Sequence, residues 1–368
     1  MKADDRDPDN VAIFVSSPEQ IGLPARETYN NTETVTEYTA VVKEVLGSFS
    51  DKKSKDDAAD VVEFEKQIAN ASPDSETTHD VTRYYNPQSI KETQSSLPEI
   101  SLSDIISKFA PAGYKSDRLI VISPSYMKSL SQILSKTSRE TVRMYIRWKI
   151  IQKYVDRVED PKVEPLRKLN NKFAGRATSE ERWRTCVRAL DSSLGWILSR
   201  FFVLETFPKS SKELGDQVVT DILDRFKVTL AETAWMSPEV RKLAIEKVEN
   251  IDQKIGYPTK SPNVMDAAEV KKYYQSLKIS KDTYFENMLA AAKFDLHDEW
   301  SQLGKPTDHG RWAMTASTVN AYYNPTANEL VFLAGIMQPP AFYGASVPLY
   351  LTYGSFGAVA GHELTHGM

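Results

Sequence analysis

The chain has 368 residues, of which 41% are hydrophobic and 26% charged, and its formal net charge is −4. That length holds two or more domains with sizeable cores, and the composition is that of an ordinary folded protein. The mixed, nearly balanced charge gives no electrostatic reason to expect nucleic acid as a partner. No apolar run approaches the roughly 18–20 residues that span a bilayer, and the opening MKADDRDPDN lacks the apolar core of a secretory signal. On these grounds the chain reads as soluble, without membrane contact of its own.

Taken in order, most of the chain reads as helix. Val35, Tyr38, Val42, Val45 and Phe49 recur at spacings of three and four, which places them on one helical face. The stretch DKKSKDDAADVVEFEKQIA starts as a charged loop and continues as helix from about Asp57, whereas PDSETTHD at 73–80 has turn composition and reads as a loop. A short buried strand is expected over 118–123. Ser123-Pro124 after it has the form of an N-cap followed by proline at the first helical position. SRETVRMYIRWKIIQKYVDRV reads as a long helix. SSLGWILSRFFVLETF is apolar on nearly every side and is expected deep in a core. Ser237-Pro238-Glu239 opens a helix expected to run until Gly256-Tyr257-Pro258 stops it, and 257–263 is a loop and candidate domain border.

After about residue 315 the texture changes. Two β-rich runs, 318–323 and 329–334, flank the turn residues Asn324-Pro325-Thr326-Ala327-Asn328, which is a hairpin signal. GAVAGHELTHG follows and reads as a buried helix. The fold class expected is therefore mainly α, with a large multi-helix domain, a small β-hairpin region and the histidine-bearing helix at the C-terminal end.

The chemistry is concentrated in His362-Glu363-Leu364-Thr365-His366, an H-E-x-x-H sequence. Histidines four apart on a helix differ by about 40° of rotation, so both imidazoles reach one ion. Zinc suits two neutral nitrogen donors, and a carboxylate at Glu363 can take a proton as water attacks a peptide carbonyl. The competing reading is a solvated helix that happens to carry two histidines. A chance match in a chain of this length has odds of about one in a hundred, and the small, apolar flanks argue against a solvated face. His79, His297 and His309 lie in polar stretches and read as surface residues. Cys186 is the only cysteine, so no disulfide forms within the chain; it is a reduced core thiol or half of a pair. Asn30-Asn31-Thr32 and Asn70-Ala71-Ser72 fit the N-x-[ST] glycosylation pattern, which matters only in a secreted protein.

VNAYYNPTANELVFLAGIMQPPAFY followed by GAVAGHELTHG closely resembles the neprilysin and endothelin-converting enzyme family of zinc metalloendopeptidases. IGLPARETY, RWRTCV at 182–187, KIGYP at 254–258 and LGKPTDHGRWAMTASTVNAYY extend the resemblance over nearly the whole chain in the same order. It implies zinc as cofactor, with His362 and His366 as two ligands and Glu363 as catalytic base. It implies that Asn320 and Ala321 hold the substrate backbone, and that Ile336, Ala358 and Val359 line a pocket for a large apolar residue just after the scissile bond. Ala341 stands where the family usually has an aromatic residue, and Leu333 replaces a proline.

The resemblance further implies short peptides as substrates, an extracellular or cell-surface setting, and a partner for Cys186 outside this chain. It implies a substrate-enclosing helical domain over 1–260, a helical linker over 261–315 and the start of the catalytic domain over 316–368. The family's third zinc ligand, a glutamate in an E-x-x-A-D sequence, is expected beyond Met368, so this chain alone is expected to hold zinc weakly and cleave poorly. The alternative is a non-catalytic helical binding module derived from such a peptidase.

Overall fold

The computed structural model describes residues 1–49, 57–116, 118–178 and 180–368. Among the described residues the architecture is mainly helical, as expected, with two small sheets, of which the sequence pointed only to the one near the C-terminal end. It divides into two compact units, the first made of 1–2, 10–181 and 296–305 and the second of 3–9, 182–295 and 306–368. The main division between the units falls at Glu181/Arg182.

The first unit contains most of a four-stranded sheet. β1 (Lys2–Asp4), β2 (Asp7–Val15), β3 (Asn86–Ser89) and β4 (Arg118–Val121) lie in the order β1-β2-β4-β3. β2 runs parallel to β4 through Ile13–Leu119, Phe14–Ile120 and Val15–Val121, and β3 is antiparallel to β4. Only β4 was legible beforehand; β2 opens in a charged stretch and β3 is four residues long, and both pair with β4.

The helices of this unit are α1 (Thr32–Ser48), α2 (Asp57–Ala71), α3 (Ser75–His79), α4 (Val81–Tyr84), α5 (Ile90–Ser96), α6 (Leu102–Phe109), α7 (Pro124–Lys136), α8 (Arg139–Tyr154) and α9 (Glu164–Phe173). α1 buries Tyr38, Val42, Val45 and Leu46 along the face read from the sequence. α7 starts as expected, with the Ser123 hydroxyl accepting from the Tyr126 amide at 3.2 Å. The charged stretch expected before Asp57 lies outside the described residues. The loop expected at 73–80 contains α3 instead. Asp74 caps it by accepting from the Thr77 amide at 2.8 Å, and this local bond stabilises one helical turn in a segment without apolar periodicity.

At the centre of the unit Trp148 is fully buried among Tyr29, Tyr38, Val42, Val61 and Leu166. Its indole N–H donates to the Tyr38 hydroxyl at 2.8 Å. The Tyr29 and Tyr38 hydroxyls donate to the same oxygen of Glu65, at 3.3 and 2.8 Å, and Glu65 is 0% exposed. Desolvation pushes the Glu65 carboxyl up to about 7, against the opposing pull of the tyrosine hydroxyls and Lys149. Gly22 passes so close that a Cβ there would stand 2.2 Å from this carboxylate.

The second unit holds α10 (Arg182–Thr206), α11 (Lys209–Glu232), α12 (Pro238–Glu249), α13 (Ala267–Tyr273), most of α14 (Tyr284–Trp300) and α15 (Leu349–His366). Its sheet has three strands, β5 (Asp252–Gly256), β6 (Ala321–Asn324) and β7 (Glu329–Leu333), in the order β5-β7-β6. The expected hairpin is β6–β7, antiparallel, with Ala321 opposite Phe332 and Asn324 opposite Glu329. β5 is parallel to β7 and was not anticipated: the helix opened by Ser237-Pro238 ends at Glu249, and Asp252–Gly256 becomes a strand because β7 offers it a non-local partner.

β7 is buried along its whole length because both faces of the sheet are covered. Leu330 and Phe332 join Phe356, Ala360 and Leu364 of α15 and Val218 of α11, while Val331 and Leu333 join Trp312, Trp196 and Tyr322. α10 is not the deep core helix expected. It buries Gly195, Ser199 and Val203 at four-residue spacing and leaves Phe201 59% and Leu204 53% exposed. A single buried stripe meets the sheet and its loops, and hydrophobicity on the remaining sides does not alter that geometry. Cys186 near its start is exposed, which removes the buried-thiol reading.

Candidate functional site

α15 is seated by its apolar stripe. Phe356 stacks edge-on against Phe332 of β7 and against Phe342, with ring centroids 5.3 and 5.2 Å apart. Two polar contacts fix its position further: the Ser355 hydroxyl donates to the Ala341 carbonyl at 2.7 Å, and the Tyr353 hydroxyl bonds the Asp221 carboxylate on α11. Gly357 passes Ile222 of α11, 3.5 Å from where a Cβ would stand. The Tyr353–Asp221 tie was not legible beforehand, since its two residues are 132 positions apart.

With Phe356, Ala360, Glu363 and Leu364 turned inward, His362, His366 and Ala358 lie on the exposed side of the helix. The two imidazoles converge. Their Nε2 atoms are 3.1 Å apart and the rings stand at 87°, with centroids 4.7 Å apart. Nitrogens 3.1 Å apart, each about 2.0–2.1 Å from one ion, subtend about 100° there, close to the tetrahedral angle zinc adopts. The donor pair therefore fits zinc. Among the described residues no group of three His, Cys, Asp or Glu side chains that could hold a metal occurs. Glu363 is 6% exposed, next to the first imidazole in sequence but on the inner side of the helix.

The histidine end of α15 faces the hairpin. A Cβ on Gly367 would lie 3.2 Å from the Tyr323 ring of β6, so this end of the helix sits against that strand. β6 pairs with β7 on one side only and is an edge of its sheet. Tyr322 turns to the opposite face, where its hydroxyl accepts from the Ala313 amide at 2.8 Å and burial pushes its pKa up to about 12. Both tyrosines are thus engaged in holding the strand.

Of the residues singled out from the sequence, His362 and His366 are brought together, and Asn320 and Ala321 stand at the start of the edge strand. Asn320 is exposed, and its side-chain oxygen accepts from the Ala321 amide at 2.9 Å. Ile336 and Val359 are half-buried against the apolar cluster under α15, and Ala358 is exposed. His79, His297 and His309 are exposed, as read.

A helix carrying paired imidazoles, laid beside an edge strand, is the layout of a zinc-dependent peptidase. The profile of peptidase family M13 matches residues 1–258 and again 320–368, and the chain belongs to that family of zinc metalloendopeptidases. It is 30% identical to an endothelin-converting enzyme homolog of Locusta migratoria over 99% of this chain and 51% of that protein. It is 31% identical to endothelin-converting enzyme 1 of Homo sapiens over 94% of this chain and 46% of that protein. The chain thus spans about half the length of the curated relatives it matches. Among solved structures it is similar to the zinc metalloprotease Zmp1 of Mycobacterium tuberculosis in complex with an inhibitor, with a TM-score of 0.86 and 25% identity over 98% of this chain and 54% of that one. The fold is shared with PepO of a Lactobacillus, with a TM-score of 0.85 at 19% identity.

Proposed function

We propose that the chain forms part of a zinc-dependent endopeptidase acting on short extracellular or cell-surface peptides, cut on the amino side of large apolar residues. The convergence of the His362 and His366 Nε2 atoms, 3.1 Å apart beside an edge strand, carries this reading. His362 and His366 hold the zinc. When bound, the ion supplies Lewis-acid polarisation of the scissile carbonyl and a lowered pKa for the attacking water. Glu363 would take the proton of a water attacking the scissile carbonyl. Asn320 and the main chain of Ala321 hold the peptide as an added strand on β6. Ile336, Ala358 and Val359 shape the pocket for the apolar side chain.

In this reading residues 1–260 enclose the substrate, 261–315 link, and 316–368 begin the catalytic part. With two nitrogen donors among the described residues, the 368-residue polypeptide holds zinc weakly and cleaves little by itself; a carboxylate donor from elsewhere in a longer polypeptide completes the site. The absence of a third donor among the described residues also favours a second reading, a binding module that encloses peptides without cutting them.

Zinc titration of the 368-residue chain against a competing dye, alone and extended by the remaining length its relatives possess, separates the two. Weak binding that becomes tight on extension, together with cleavage before apolar residues, is the expected result. An extended protein that binds peptide and neither takes up zinc nor cuts would establish the module instead.

A further inference from the structure

We propose that Asp191 on α10 and Glu329 on β7 are positioning residues that fix the two ends of the edge strand β6, so that its main chain is preset to receive an extended peptide. The proposal rests on the peptidase reading and adds residues that the sequence did not single out.

At the N-terminal end, α10 departs from helical geometry at Leu194, with φ −126° and ψ 30°. The next residue, Gly195, leaves a slot filled by Thr315, whose Cγ2 lies 2.4 Å from where a Cβ would stand. Any other residue at 195 would expel Thr315. Around this slot three consecutive residues are tied to α10. One Asp191 oxygen accepts from the Thr315 hydroxyl at 3.0 Å and the Ser317 hydroxyl at 2.9 Å. The buried Ser199 hydroxyl accepts from the Ala316 amide at 3.0 Å. The Ala316 carbonyl in turn accepts from the Gly335 amide at 2.8 Å, joining the segment to the end of β7. A turn closed by the Thr318 amide on the Thr315 carbonyl then delivers Asn320 and Ala321 to the open edge.

At the other end Glu329 is 3% exposed. One of its oxygens accepts from the Asn324 side chain at 3.0 Å, and the other is paired with Lys254. A single carboxylate therefore spans all three strands, β6 through Asn324, β7 through its own backbone and β5 through Lys254. Apolar side chains would fill these positions and stabilise the sheet equally well. Directional bonds add a fixed main-chain geometry, and a strand held rigid before binding loses less entropy when a peptide pairs with it.

The test measures binding of a fluorescein-labelled apolar pentapeptide by anisotropy, and zinc affinity separately, on the full chain. Asp191→Ala is expected to weaken peptide binding about tenfold, the effect of losing two hydrogen bonds, while zinc affinity stays unchanged. Asp191→Asn, whose amide oxygen still accepts from both hydroxyls, restores binding. Glu329→Ala behaves like Asp191→Ala, and Glu329→Gln restores part of the loss. If Asp191→Ala does not fold, the shape-conserving Thr315→Val carries the test with an expected loss of about threefold. Peptide binding indifferent to positions 191, 315 and 329 would overturn the positioning role alone. A wild-type chain that takes up zinc and binds no peptide would overturn the peptidase reading, and the proposal with it.

Discussion

The two units each bury a carboxylate, and they treat it in opposite ways. In the first unit Glu65 sits between Tyr29 and Tyr38 with its pKa raised to about 7 by desolvation. In the second, Glu329 has a cation partner in Lys254 and an amide partner in Asn324. Strongly shifted groups often mark functional sites. Here the largest resolved carboxylate shift belongs to a packing centre around Trp148, and the paired imidazoles lie in the other unit, on an exposed helical face. Burial depth and chemistry are separate in this molecule: the first unit uses polar groups to close a core, and the second uses them to hold a strand and a helix open at one edge.

The strongest way to break that contrast is through Trp148. Trp148→Ala removes a fully buried indole and the donor to Tyr38, and should lower the stability of the first unit by about 4 kcal/mol in denaturant unfolding. Zinc uptake at His362 and His366 should remain as in the parent under native conditions. A joint loss would show that the two regions are not independent.

Glu65 offers the next largest effect. Its folded pKa is raised from 4.5 to about 7, so the neutral carboxyl is favoured in the folded state. That contribution is fully present below pH 4.5 and is lost as pH rises through 7. Unfolding of the first unit should therefore become easier by about 3 kcal/mol between pH 4 and pH 8, and Glu65→Gln should flatten the profile. Tyr29, Tyr38 and Lys149 are the titratable groups acting on Glu65, and their ordinary ranges lie above that window. An unchanged profile in the Gln variant would place the pH dependence elsewhere.

For the second unit, His362→Ala should weaken zinc binding at least about 100-fold, since even outer-shell losses reach 10–100-fold. His297→Ala, on an exposed position outside the site, should leave it unchanged. The smallest effect is expected from Tyr353→Phe, which removes the tie of α15 to Asp221 and should cost about 1 kcal/mol of stability with little change in secondary structure.

Much of the molecule was legible beforehand because its signals are local. The apolar face of α1, the Ser123-Pro124 start of α7, the β6–β7 hairpin and the four-residue spacing of His362 and His366 depend on neighbours within a turn or two. Wrong expectations arose where the deciding partner is remote or the signal is a single cap. Asp252–Gly256 became a strand through β7, more than seventy residues away, and Asp74 turned a polar segment into a helical turn. The exposed flanks of α10 are not legible in the sequence, because hydrophobicity on all sides says nothing about which stripe meets the sheet.

The sequence by itself determined which residues could chelate an ion, through their donor atoms, and that they would share a helical face, through backbone periodicity. Only the tertiary structure decided that this face is the exposed one, that it ends against Tyr323, and that Asp191 and Glu329 secure the strand beside it. Those facts depend on contacts between segments far apart in the chain, where packing geometry and not periodicity sets the outcome.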